Sequence, residues 1–324
     1  MRRFAATGGV ALSLCACGAA SAQTSIDLSG YRAAGIYALD PLAGTGPGVS
    51  GLEASAVTYA RDRGTLFYVG DEGTGVVEIT RTGQTVSTMA FSGGANLGWP
   101  VTSTHRDAEA LAYLGNGVLV VGDERPQSMY RFEYNAGGST NLAVAPFVSI
   151  GAAAGNNGLE GFAWDSRDGS WVTVKQQSPQ DVRAGTLSFA VGGGTASLSQ
   201  LFDPALLAVS SLSDVATLAQ VDALSGTSAA DNLLVLSLGS RSLLEVTRSG
   251  AVLSRFDLSG LLPGNAFEGV TVDENGTIYL IAEQSGGVGD TSMLVALAPI
   301  PGPAGWLVML AGLTLVAAQR RKGA

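Results

Sequence analysis

Leu159-Glu160-Gly161-Phe162-Ala163-Trp164 places one carboxylate at the head of a short apolar run. Four other stretches have the same form: Leu52-Glu53-Ala54-Ser55-Ala56-Val57, Ala108-Glu109-Ala110-Leu111-Ala112-Tyr113, Ser213-Asp214-Val215-Ala216-Thr217-Leu218 and Phe267-Glu268-Gly269-Val270-Thr271-Val272. Successive acids are 56, 51, 54 and 54 residues apart. A period near 54 residues with one acid per period indicates a repeat fold whose units cannot bury their apolar faces alone.

Within each repeat the apolar run is followed by a turn and a second apolar run. The turns are Arg61-Asp62-Arg63-Gly64, Gly115-Asn116-Gly117, Arg167-Asp168-Gly169 and Glu274-Asn275-Gly276. Gly and Asn accept the positive φ that tight hairpins need. The second runs, 65–69, 118–121, 171–174, 233–236 and 277–281, are rich in branched and aromatic residues, as buried strands are. Third strands are expected at 75–80, 129–134, 185–190, 242–247 and 293–297. Fourth strands are expected at 85–91, 143–150, 196–202 and 251–258. Four strands per repeat without a helix between them predict an all-β chain folded as a single β-propeller. The count is five blades; six would require a degenerate blade within the long loops. The last repeat lacks a fourth strand, and the strand-like segment 31–39 precedes the first. That segment is expected to close the ring as the outer strand of the last blade.

The ends read differently. Residues 1–22 have the basic start Arg2-Arg3, a short apolar stretch and the small-residue site Ala20-Ser21-Ala22, the pattern of a signal peptide cut by signal peptidase. Both cysteines, Cys15 and Cys17, fall inside it, so disulfides and thiol chemistry are not expected in the mature body. The propeller is expected over 23–298 and a C-terminal sorting or transmembrane anchor over 299–324. There Pro301-Gly302-Pro303 precedes a run without charge and then Arg320-Arg321-Lys322. Residues 300–318 approach the roughly 20 residues that a bilayer span needs, and the basic end is expected on the cytoplasmic side. Without these ends the body holds 13 basic against 27 acidic residues, a net of −14. Such a body repels nucleic acid and suits cations.

In a propeller the first strand of each blade lines the central channel. Glu53, Glu109, Glu160, Asp214 and Glu268 would then ring one mouth. A second set, Asp71-Glu72, Asp123-Glu124 and Glu283-Gln284, follows the second strands, and a hairpin returns it to the same mouth; Asp71, Asp123 and Glu283 are its candidate ligands. Gln176-Gln177 replaces the acids in the third repeat, and Ser237–Arg241 has none in the fourth. Two carboxylates roughly 6 Å apart at an effective dielectric near 20 repel by about 3 kcal/mol. Such a ring needs a cation, shared protons or a basic partner. Carboxylate and backbone oxygens suit Ca²⁺, the cofactor this reading names, better than zinc. The same acids would also serve as loop caps that bind only water. Arg125, Lys175 and Arg241 stand near them in sequence. His105 is the only histidine, and there is no Gly-x-Ser-x-Gly elbow.

Glu109-Ala110-Leu111-Ala112-Tyr113-Leu114 with Val121-Gly122-Asp123-Glu124-Arg125-Pro126, Asn157-Gly158-Leu159-Glu160-Gly161-Phe162-Ala163-Trp164-Asp165 with Val174-Lys175, and Phe267-Glu268-Gly269-Val270-Thr271-Val272-Asp273 together resemble the SdiA-regulated, YjiK-like propeller family. The resemblance spans about residues 52–297 and implies a secreted or periplasmic propeller with a channel Ca²⁺. The same pieces are similar to the esterase-like phytases, which implies phosphoester hydrolysis. The C-terminal end resembles a PEP-CTERM sorting signal, with Pro-Gly-Pro where Pro-Glu-Pro is usual. That likeness implies a Gram-negative source, transient inner-membrane anchoring through 300–318, cleavage by an exosortase, and delivery to the cell surface or extracellular matrix. The functional expectation is a binding module for an exopolysaccharide or surface protein. The alternative is a metal-dependent hydrolase of phosphoesters or lactones.

Overall fold

In the computed structural model, which describes residues 23–40, 42, 49, 53–71, 73–92, 107–284 and 291–300, the chain forms five antiparallel sheets arranged as the five blades of a propeller. The inner strands are Ala54–Ala60, Ala108–Gly115, Leu159–Trp164, Asp214–Thr217 and Asn265–Val272, in blades 1 to 5. Each pairs with a second strand: Thr65–Gly70, Val118–Asp123, Trp171–Lys175, Leu233–Ser237 or Ile278–Gln284. Third strands follow at Gly75–Ile79, Ser128–Glu133, Asp181–Ser188, Ser242–Val246 and Met293–Pro299. The helical elements among the described residues are short 3₁₀ turns. No helix among them is long and apolar enough to cross a membrane. The expected leader and most of the C-terminal anchor lie outside the described residues.

Blade 5 takes its outer strand from the other end of the chain. Tyr31–Ala38 pairs antiparallel with Met293–Pro299, from Tyr31 opposite Pro299 to Ala38 opposite Met293. The segment expected to close the ring does so, one residue shorter than the sequence suggests. In blade 2 the outer strand is only Phe147–Ser149, because Asn141 caps a 3₁₀ turn over Leu142–Val144 through a bond to Ala143 N. Ahead of that turn, Ser139–Thr140 runs parallel to the blade 1 outer strand, Thr85–Phe91, and makes that sheet five-stranded. The outer strands of blades 3 and 4 are Thr195–Gln200 and Val252–Asp257.

Burial explains why the strands differ in composition. Every residue of Ala54–Ala60 is buried, as is every residue of Leu233–Ser237, whereas Val252–Asp257 alternates between partial burial and exposure. Inner strands have a neighbouring blade on both faces and therefore read as unbroken apolar runs, whereas an outer strand meets solvent on one face. Among the described residues, the buried apolar side chains form five clusters, one in each seam between adjacent blades. One seam joins Phe67 and Val69 of blade 1 to Leu119 and Val121 of blade 2. The closing seam joins Leu66 and Tyr68 of blade 1 to Ile281 and Leu294 of blade 5. Each fully buried large side chain contributes about 1.5–3 kcal/mol.

Two seams also carry a buried ion pair. At the end of the blade 5 inner strand, Asp273 takes Arg81 of blade 1 at 2.9 Å. Its other bonds come from Asn275 N, Thr277 N and the Tyr279 hydroxyl. In blade 3 the equivalent Asp165 takes Arg248 of blade 4 at 2.9 Å. Both arginines leave a third strand through similar turns, Thr80-Arg81-Thr82-Gly83 and Thr247-Arg248-Ser249-Gly250. Gly83 and Gly250 sit at φ 80° and 84°, where a side chain would be strained.

Replacing Arg81 by Ala strands the buried Asp273 carboxylate at the ring-closing seam. The expected cost is about 2 kcal/mol. Arg61→Ala removes the exposed pair with Asp222 and should change stability by no more than about 0.5 kcal/mol. Denaturant titrations of the two variants against the parent protein check the difference.

Candidate functional site

The inner strands do not enter their sheets evenly. In blade 2 the register steps from Ala108 opposite Asp123 to Ala110 opposite Gly122, leaving Glu109 as an unpaired bulge residue. The same step leaves out Glu160 between Leu159 and Gly161, and Glu268 between Phe267 and Gly269. A bulge re-aims the side chain of its extra residue. Three of the predicted ring acids therefore share one structural position, at the same end of the channel.

The other two predicted ring acids occupy different positions. In blade 1 the bulge residue is Ser55, between Ala54 and Ala56. Glu53 lies two residues earlier with φ 53°, and its carbonyl accepts Asp71 N and the Ser55 hydroxyl. Its charge still reaches the mouth, where it acts on Asp71, Glu268 and Glu283. The inner and second strands of blade 4 pair without a register step, and Asp214 lies opposite Leu236. The carboxylate of Asp214 accepts its neighbour Val215 N at 2.8 Å and Val270 N of blade 5 at 2.7 Å. It thus ties two inner strands together one level below the mouth. Gly161 makes room for it, since a Cβ there would come within 2.3 Å of Asp214 Oδ1.

The second set returns to the same mouth with one exchange of residue. Asp71 N bonds to Glu53 O and Glu124 N to Asp107 O, so the counterpart of Asp71 in blade 2 is Glu124. Asp123 still lies within its strand, opposite Ala108, and is fully buried. Its charge acts on Tyr130. A shift of one residue along a strand moves a side chain to the other face. The repeated Val-Gly-Asp of 69–71 and 121–123 hides that offset. Glu124 and Asp107 are the acids that the sequence reading did not select. Counting outward from the Gly115-Asn116-Gly117 turn would have aligned Glu124 with Asp71.

The mouth therefore gathers Glu53, Asp71, Asp107, Glu109, Glu124, Glu160, Glu268 and Glu283. Carboxylate oxygens of Asp71, Asp107 and Glu109 lie within 4.8 Å of one another. Arg125 bonds Asp107 through Nε and Asn156 Oδ1 at 2.8 Å. The other two cations expected nearby are engaged elsewhere. Lys175 Nζ bonds the carbonyls of Gln177 and Pro179. Arg241 bonds the carbonyls of Leu261, Leu262 and Asn265 and lies over the Phe267 ring. His105 lies outside the described residues.

Crowded carboxylates hold protons. Burial first, and then the hydrogen bond and charge of Glu53, push Asp71 up to about 8. Burial raises Glu283 to about 7, helped by Glu53. Glu124 also rises to about 7 through burial, although it accepts bonds from Glu160 and from Gly158 N. Glu109, Glu160 and Glu268 are held well above the usual carboxylate range, by burial first and then by neighbouring acids: Glu268 acts on Glu109, Glu124 on Glu160 and Glu283 on Glu268. Desolvation and like charge thus act together, and a cation would relieve both. The donors fit a hard cation. They are all oxygens, and Asp71 Oδ1 is buried with no hydrogen-bond partner.

The opposite end of the channel is different. A cavity of about 570 Å³ opens where the inner strands end, with Val57, Leu111, Phe162, Val215 and Val270 in its wall. None of the mouth acids lines it.

Comparisons with known proteins gave distant structural likenesses and one family match. A luciferin-regenerating enzyme is 9% identical with a TM-score of 0.46, covering 81% of this chain and 94% of that one. The hydrazine synthase of Kuenenia stuttgartiensis is 12% identical with a TM-score of 0.38, covering 71% of this chain and 56% of that one. A protein of unknown function from Bacteroides caccae is 12% identical with a TM-score of 0.37, covering 67% and 64%. These likenesses are too distant to say anything about chemistry. Residues 43–285 match the SdiA-regulated family, three quarters of the chain, so this five-bladed propeller belongs to the SdiA-regulated family.

Proposed function

We propose that this protein is an exported, surface- or matrix-associated binding module whose acidic channel mouth holds a divalent cation of the Ca²⁺ class. The observation that carries the reading is the meeting of Asp71, Asp107 and Glu109 oxygens within 4.8 Å, with Asp71 Oδ1 lacking a partner. Asp71, Asp107 and Glu109 would hold the ion, with Glu53, Glu268 and Glu283 around them. Asp214 is left out, because both of its oxygens are already bonded to amides. Asp123 is left out because of its register. A cation would neutralise the mouth and present a surface to which an anionic or hydroxylated group of a partner can add. The export part rests on the sequences of 1–22 and 299–324, which also supply the signal peptidase, exosortase and inner-membrane steps. An exopolysaccharide or a surface protein is the partner class that follows.

A hydrolytic reading uses the same mouth. Glu124, pushed up to about 7, can hold or release a proton near neutrality, as a general acid or base must. A metal-dependent phosphoesterase or lactonase would place its substrate against that group.

The two readings separate in the test tube. With chelator present, the raised acids favour the folded state most where both folded and unfolded forms are protonated, below about pH 4. That contribution falls as pH rises through the folded values near 7 and 8 of Glu124, Glu283 and Asp71. Thermal melts of the propeller body in chelator should therefore lose stability from pH 5 to pH 8. At pH 8, Ca²⁺ at about a hundredfold excess over its Kd should restore about 2.7 kcal/mol. Glu109→Gln should remove most of that gain. Identical melts in Ca²⁺ and chelator, with no metal in the purified protein, would refute the cation site. Turnover of a phosphoester or lactone panel, lost in Glu124→Gln with the fold intact, would instead select the hydrolase.

A further inference from the structure

We infer that the cavity at the end of the channel opposite the acids is a second binding site, one that takes a neutral saccharide. It goes beyond the cation reading and does not depend on it. The floor of the cavity is apolar and buried, made by the inner-strand residues Leu111, Phe162, Val215 and Val270. At the rim, Trp164 and Leu114 are only half-buried, while Asn116 and Ser166 are exposed. An aromatic face beside polar groups suits a ligand that is flat and apolar on one side and hydroxylated at its edge. A pyranose ring has that form. The cavity volume, about 570 Å³, lies within the range of small-molecule sites.

The backbone supplies further donors. Asp165 N bonds to Ser170 O and Leu218 N to Asn232 O, each on the residue just before its own second strand. Strand alternation therefore turns the preceding amides, Trp164 N and Thr217 N, toward the channel. At the equivalent place in blade 2, Tyr113 N is taken by Thr58 Oγ1 of blade 1 at 3.1 Å. In blade 1, Tyr59 N is taken by Thr271 Oγ1 of blade 5 at 3.1 Å. The residues that correspond to these threonines beside Trp164 and Thr217 are Ala112 and Ala163, which have no hydroxyl. A ligand oxygen can occupy that place. These amides and Trp164 belong to the same side of the ring.

The rim charges are already compensated, which argues for a neutral ligand. Arg61 is held by both oxygens of Asp222 and by Gln220 O. Asp62 accepts the Tyr113 hydroxyl at 3.0 Å and Asn116 N at 2.9 Å.

Calorimetry and tryptophan fluorescence with glucose, galactose, mannose, N-acetylglucosamine and cellobiose test the site. At least one sugar should bind saturably. Trp164→Ala should weaken it roughly tenfold. Ala112→Thr, which brings to blade 2 the hydroxyl that blades 1 and 5 already use, should weaken it as well while leaving the melt unchanged. Affinity should be the same in Ca²⁺ and in chelator, so failure here and failure of the cation site are told apart. Absence of saturable binding by every sugar overturns the proposal. So does parent-like affinity in both folded variants, or tighter binding of glucuronate than of glucose.

Discussion

The inner strands of this propeller are buried on both faces and need a neighbouring blade on each side. Among the described residues, the five seams between blades hold the buried apolar clusters, and each seam needs both of its neighbours. Closing the ring is thus the constraint on which the rest depends. The pairing of Tyr31–Ala38 with Met293–Pro299 supplies that closure by joining the two ends of the propeller in one sheet. Asp273 with Arg81 adds a buried charge pair at the same seam. An acidic chain without cysteine in its body has no covalent substitute for this arrangement.

Closure also determines how the channel can be used. Five inner strands converge closely enough that a Cβ at Gly161 or Gly269 would come within 2.8 Å of the backbone of the next blade. Side chains larger than these would push the strands apart. The glutamate just before each of these glycines leaves the ladder at a bulge, and this is how Glu160 and Glu268 reach the mouth without entering the crowded seam. Asp214 occupies the glycine position itself, in the one blade whose inner pair keeps its register, and its carboxylate becomes a bond between strands. One residue of register separates a candidate ligand from a structural tie.

Much of the architecture was legible in the sequence. The period near 54 residues, the Gly-containing hairpin turns and the missing last strand predict five blades and the N-terminal closing strand. Those signals are local, or depend only on counting. The sites were less legible. Glu109, Glu160 and Glu268 were found because their repeats align without a shift. Ser55 and Glu124 were missed because Glu53 and Asp123 stand near the expected places and carry the expected charge.

The amino-acid sequence by itself determined the number of blades, the class of fold and the acidic character of one end of the channel, because these follow from hydrophobic period, turn chemistry and composition. Only the tertiary structure decided which acids meet. A bulge changes the direction of a side chain without changing the residue pattern, and the distance between two carboxylates depends on how adjacent blades pack. The cavity at the other end follows the same logic. Its donors are backbone amides, turned to the channel by strand alternation and left without a threonine partner by Ala112 and Ala163.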